Sequence, residues 1–198
     1  VKLVTMRDVP WAEGRWSVEP ESVQADGSDL LVTPRGESDL WRTTSYGFVH
    51  DDGPGLLVDF PDESATEVSF ILDFNEQFDQ AGILVRADER HWVKAGSEYA
   101  DGVAQVGAVV TREVSDWSTA PTPQWQGRVI TVRASRRADA LTIRARAGSA
   151  DWHLVRLAPI DPGMRWYAGP FCCSPSHGGL TVRFTRFATG AADDALHD

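Results

Sequence analysis

Residues 79–118 read DQAGILVRADERHWVKAGSEYADGVAQVGAVVTREVSDWS. Three strand-length runs, 81–87, 91–99 and 103–111, are separated by short polar turns, and the SDWS segment that follows reads as a loop. Side chains in a strand alternate between its two faces. In the second run this puts Trp92, Lys94, Gly96 and Glu98 together, with Val93, Ala95 and Ser97 on the other side. Tryptophan, lysine and glutamate on one face make poor core and suit a wet, ligand-facing surface. Gly96 leaves a gap between the two charges through which a ligand could approach the backbone. Arg86, Asp116 and Trp117 are close in sequence and extend the same candidate surface.

The flanking sequence keeps this short-strand rhythm. Upstream, residues 65–75 alternate Val68, Phe70 and Leu72 with Glu67, Ser69, Ile71 and Asp73, as a half-exposed antiparallel strand does. Residues 39–48, DLWRTTSYGF, mix aromatic and polar side chains on both faces, and Trp41 and Tyr46 become candidates for lining the site. Two short strands are predicted at 16–18 and 30–33, around an Asp26-Gly27 turn. Downstream, strands are predicted at 128–135, 140–147, 152–157, 165–171 and 180–187. No helix-period segment of ten residues stands out. Many short strands between turn signals indicate an all-β sandwich. With no internal repeat and no low-complexity linker, one domain over 1–190 and a polar tail at 191–198 is the economical division.

The bulk properties exclude some partners. The 198 residues carry a formal net charge of −10. Nucleic-acid phosphates and anionic membranes both call for concentrated basic surface, so neither fits, whereas a neutral or cationic ligand does. No stretch reaches the roughly 18 apolar residues of a membrane span, and residues 1–10 lack the basic-then-apolar pattern of a signal peptide. The only cysteines, Cys172 and Cys173, are adjacent and form no disulfide framework, which points to a reducing cytoplasm. Eight tryptophans is a high number; most read as β-sandwich core, and a tryptophan can also stack on a sugar ring. Oligomeric state leaves no trace in the sequence.

DQAGILVR, HWVKAGSEYADG, VVT and SDWS, in that order, resemble an uncharacterised family of bacterial and fungal proteins. Its members are often labelled as similar to the yeast "regulation of enolase" protein. The resemblance extends to DLWRTTSYGF at 39–48, WHLVRLAPI at 152–160 and GPFCCSPSHGGLTVRF at 169–184, so it covers about residues 11–187. That family looks like part of the concanavalin A-like lectin and glucanase superfamily. The resemblance therefore implies a jelly-roll sandwich of two antiparallel sheets, one of them concave. It implies no settled activity, and fold alone does not supply one.

The leading expectation is a carbohydrate or small polar ligand on the concave face. Trp41, Tyr46, Trp92 and Trp117 would be its aromatic platform, and Arg86, Lys94, Glu98 and Asp116 its polar partners. A second is a carbohydrate-active enzyme with Glu98 and Asp116 as its acids. Retaining glycosidases need two carboxyl groups about 5 Å apart, and Asp116 could reach Glu98 only through the fold. The E-x-D-x-x-E style spacing of many glucanases in the superfamily is missing. A lyase or isomerase with Lys94 or Tyr46 as base, and a regulatory protein that binds another protein, are weaker alternatives. His50, His91, His153, His177 and His197 are scattered without metal-ligand spacing, and no cofactor motif is present, so neither metal nor cofactor is expected.

Overall fold

A computed structural model describes residues 6–196; Val1–Thr5, His197 and Asp198 lie outside the described residues. Seventeen strands, numbered along the chain, and two single-turn 3₁₀ helices account for the regular structure described. The first sheet runs β15 (His153–Pro159), β14 (Ala140–Ala147), β13 (Val129–Arg137), β8 (Ser64–Ile71), β17 (Val182–Ala191), β4 (Asp29–Thr33) and β3 (Ser22–Asp26), with β1 (Arg7–Asp8) added along β17. The second runs β12 (Val114–Pro121), β11 (Val103–Arg112), β10 (His91–Ala100), β9 (Gln80–Arg86), β16 (Tyr167–Cys173), β7 (Leu56–Asp59) and β2 (Arg15–Trp16). Every pairing between these strands is antiparallel. A separate hairpin, β5 (Leu40–Arg42) and β6 (Val49–Asp51), lies outside both sheets. The fold is the all-β jelly-roll sandwich expected of the sequence. Among the described residues no helix is long and apolar enough to cross a membrane.

The core lies between the sheets and follows the period-two pattern. Val68 and Phe70 of β8, Ile130 and Val132 of β13, and Phe184 and Phe187 of β17 meet Ile83 and Val85 of β9, Val93 and Ala95 of β10, and Ala108 and Val110 of β11. The alternate residues of the second sheet point outward and form a second buried cluster under the β5–β6 hairpin, built from Leu40, Trp41, Leu84, Trp92, Val109, Phe171 and Cys173. Successive residues of a strand face opposite ways, so Cys172 joins the inter-sheet core and Cys173 the hairpin cluster. Both thiols are buried and free, and burial pushes both well above the ordinary range.

Three expectations need correction. Ser115–Trp117 is not a loop: it belongs to the edge strand β12, reached by a tight turn with Glu113 at φ +68°. An edge strand that is polar on both faces carries no apolar alternation to betray it. The strand at Ser22–Asp26 escapes detection for the same reason, every residue in it being exposed. The polar tail, set apart from the domain at 191, is docked on it over its described residues: β17 continues to Ala191, Ala192 is buried, and Asp193 bonds to Arg133 and Arg144. Arg133 also donates to Glu67 at 2.9 Å, and Glu67 accepts from Arg186 at 2.9 Å. A largely buried ionic network therefore ties the C-terminal segment to the outer face of the first sheet.

Candidate functional site

The site is organised by the outward face of β10. In register across the sheet, Lys94 lies between Leu84 of β9 and Val109 of β11, Gly96 between Gly82 and Gly107, and Glu98 between Gln80 and Gln105. Three glycines thus sit side by side on neighbouring strands and leave bare backbone between the two charged side chains. They are required by close strand approach: a Cβ on Gly82 would fall 2.0 Å from the Ala95 carbonyl oxygen, and one on Gly96 2.1 Å from that of Ala81.

The hairpin covers half of this face. Leu40 and Trp41 pack on Leu84, Trp92 and Val109, leaving Trp92 0% exposed. Arg86 holds the second hairpin strand with a bidentate bond to Asp51, one arm at 2.8 Å. Trp92 and Arg86 therefore build and pin the cover. The other half stays open as a cleft lined by Gln80, Lys94, Glu98, Trp117, Thr119 and Phe171 over the backbone of β10 and β11. Its space is about 280 Å³ with open solvent included, and the centre of a water-sized sphere can move through about 20 Å³ of it, enough for one water. A ligand would therefore rest in the mouth against the floor.

Lys94 is only 5% exposed, and its ammonium donates to Asp39 Oδ1 at 2.7 Å. Burial by itself would lower its pKa, but the Asp39 carboxylate outweighs that and holds it above the ordinary lysine value. Asp39 is positioned by its own surroundings. Its Oδ1 also accepts the Leu40 N–H at 2.7 Å, and its N–H donates to Asp52 at 3.0 Å. Glu98 makes no hydrogen bond or ion pair among the described residues. Burial pushes its carboxyl from the ordinary 4.5 up to about 7; Lys94 opposes that shift, and Asp39 and Asp101 add to it.

Trp117 forms one wall and remains 39% exposed. Trp41 meets it edge-on at 6.4 Å between ring centres, and Tyr46, at the hairpin tip, meets Trp41 at 5.5 Å. Trp41, Tyr46 and Trp117 are thus brought together, although Trp41 is itself largely buried, with its indole N–H on the Thr44 carbonyl. Asp116 is not brought in. It lies on the opposite face of β12 from Trp117 and pairs with Arg156 of β15 at 2.9 Å. Three of these lining side chains, Gln80, Thr119 and Phe171, and the acid Asp39 were missed from sequence. Asp39 is 55 residues from Lys94, and no local pattern marks it. Among the described residues no group of three or more His, Cys, Asp or Glu is placed to hold a metal ion.

A larger groove at the β2–β7 edge is lined by Arg7, Glu13, Arg15, Asp59, Arg165 and Tyr167, among others. Four of its five charges are already matched, Arg7 with Glu13 and Arg165 with Asp59, and the fifth, Arg15, is exposed to solvent, whereas the unmatched Glu98 is partly buried. This makes the β10 cleft the better candidate.

Two antiparallel sheets packed as a jelly roll, with a polar, tryptophan-walled cleft on the outer face of one, place the chain among the β-sandwich proteins. Similarity to solved structures bears this out for the fold: the GH43 protein BlXynB from Bacillus licheniformis superposes with a TM-score of 0.69 over 93% of this chain and 39% of that one, at 14% identity. The chain belongs to the family described as "Protein of unknown function (DUF1349)", whose model matches residues 16–192. It is 34% identical over 197 residues to "Regulation of enolase protein 1" of Saccharomyces cerevisiae, covering 99% of both chains. A crystal structure of a functionally unknown protein from the same yeast matches with a TM-score of 0.87 at 34% identity, over 93% of this chain and all of that one.

Proposed function

We propose that the β10 cleft binds a carbohydrate or a small polar ligand of similar size. The observation that carries this reading is the juxtaposition of Glu98, unpartnered, and Lys94, with two ammonium hydrogens to spare, on a bare-backbone floor beside the exposed Trp117 ring. An apolar sugar face would lie on the tryptophan while its hydroxyls bond the charged pair. Occurrence of the same sandwich as part of GH43 glycosidases supports the choice of ligand class. Hydrolysis by Glu98 with Asp116 is set aside, because the two acids occupy opposite faces of the sheet.

The test is a thermal-shift screen against neutral mono- and oligosaccharides, repeated with Trp117→Ala. A ligand at a hundred times its Kd should stabilise the fold by about 2.7 kcal/mol. A shift with one sugar class that disappears in the variant is the expected result. No shift with any sugar, in protein shown to be folded, would overturn the reading.

A further inference from the structure

The carboxyl of Glu98 is flanked by two amides that ignore it. Gln80 and Gln105 stand directly opposite it in register, one on each neighbouring strand. Gln80 turns its amide N–H to the Phe78 carbonyl at 3.2 Å and to Asp39 at 3.5 Å. Gln105 donates to the Ala100 carbonyl at 3.0 Å, and its oxygen accepts from Thr119 at 3.0 Å. Neighbours that could satisfy the carboxylate are thus committed elsewhere, and a partly buried carboxyl is left with no donor. Its oxygens still reach the open mouth of the cleft, so their bonds must come from there, from water or from something that displaces it.

The charge count says what that something is. Lys94 and Glu98 are the only charged side chains lining the cleft, and Asp39 behind Lys94 already neutralises the ammonium. Asp101, in the turn after β10, adds further negative potential. The surplus is therefore one carboxylate, in a chain of net charge −10. An anionic ligand would meet that surplus with like charge. A cation would complete it, and the face of Trp117 would favour the same cation.

From this geometry we infer that the cleft is built for a hydroxylated ring carrying a protonated amine, an amino sugar in chemical class, with the ammonium on Glu98. The inference rests on the binding reading above and sharpens it. The ring would cover the glycine floor against Trp117, and the two unused hydrogens of Lys94 would be left for ring oxygens. At neutral pH, seating the cation would drive the proton off Glu98, so binding would release protons.

The experiment is calorimetric titration of the full chain at pH 7 with glucosamine and galactosamine, their neutral parents glucose and galactose, N-acetylglucosamine, and the acid glucuronate. Charge-assisted bonds exceed neutral ones by enough to expect about a tenfold lower Kd for the amines than for the neutral sugars. Glucuronate should bind least. In Glu98→Gln, checked for folding by its melting curve, the amines should bind no more tightly than the neutral sugars. Equal affinity of amines and neutral sugars, or a preference that survives Glu98→Gln, overturns this inference and leaves the binding reading standing. Failure of every sugar to bind overturns both.

Discussion

Replacing Asp39 with asparagine would leave the Lys94 ammonium buried without its counter-charge. The substitution keeps the shape and an acceptor oxygen for Leu40 N–H, so what it removes is the charge. Lys94 is 5% exposed and the pair is 2.7 Å long, so solvent screens it little. Breaking a buried pair by removing one partner costs about 3–5 kcal/mol, and the isosteric change should fall near 3. For a domain of this size that is a fall in Tm of about 6–12 °C. The sign with pH follows from the lysine. Its folded pKa lies above the ordinary value, so the stability it contributes is complete below that ordinary value and disappears as pH rises through the folded one. Asp39→Asn should remove this alkaline loss and turn it toward a gain as pH rises, because burial by itself lowers the lysine's pKa. The assay is urea unfolding of the wild type, Asp39→Asn, Lys94→Met and the double variant. Non-additivity is the signature, with the double variant more stable than Asp39→Asn alone, because removing both charges leaves none buried and unmatched. A loss under 1 kcal/mol, or losses that simply add, would refute the claim that the pair is buried and coupled.

Other perturbations test other parts of the structure. Glu98 has a folded pKa raised from 4.5 to about 7, so the wild type should lose stability as pH rises across that window, by up to about 3 kcal/mol. Glu98→Gln should flatten that profile and be the more stable protein at pH 8; identical melting profiles across the window would count against an unpartnered carboxyl. Gly96→Ala should prevent folding or cost more than 4 kcal/mol, since its Cβ would collide with the Ala81 carbonyl; Gly102→Ala, at a turn with open space and φ +79°, should cost only about 1 kcal/mol. Soluble expression and melting temperature separate these outcomes. Arg133→Met should destabilise by less than the roughly 3 kcal/mol of a stranded buried charge, because Glu67 keeps Arg186 and Asp193 keeps Arg144, and adding Arg186→Met should cost more than the two single losses summed, as chemical denaturation would show.

The sandwich was legible because the core obeys a local rule. Val68, Phe70 and Leu72, or Leu141, Ile143 and Ala145, alternate with polar neighbours, and one face of each strand must leave water. Burial of apolar area is non-directional, so the alternating pattern is enough to assign strands without knowledge of their partners. β12 and β3 escaped because edge strands bury little and their hydrogen bonds leave no mark on composition. Sequence also placed Lys94, Gly96 and Glu98 on one face of β10, since period two requires it. It could not say that the face is half covered. That depends on the β5–β6 hairpin folding onto Leu84 and Trp92, which converts Trp92 from a ligand platform into core and Arg86 into a latch. Nor could it choose the acid: Asp39 and Asp116 look alike in the chain, and only the path of the loop before β5 and the side-chain direction on β12 bring the first to Lys94 and turn the second to Arg156. Which faces are apolar is a property of consecutive residues, and the sequence alone determined it. Which charges meet depends on distances between segments far apart in the chain, and only the tertiary structure decided it.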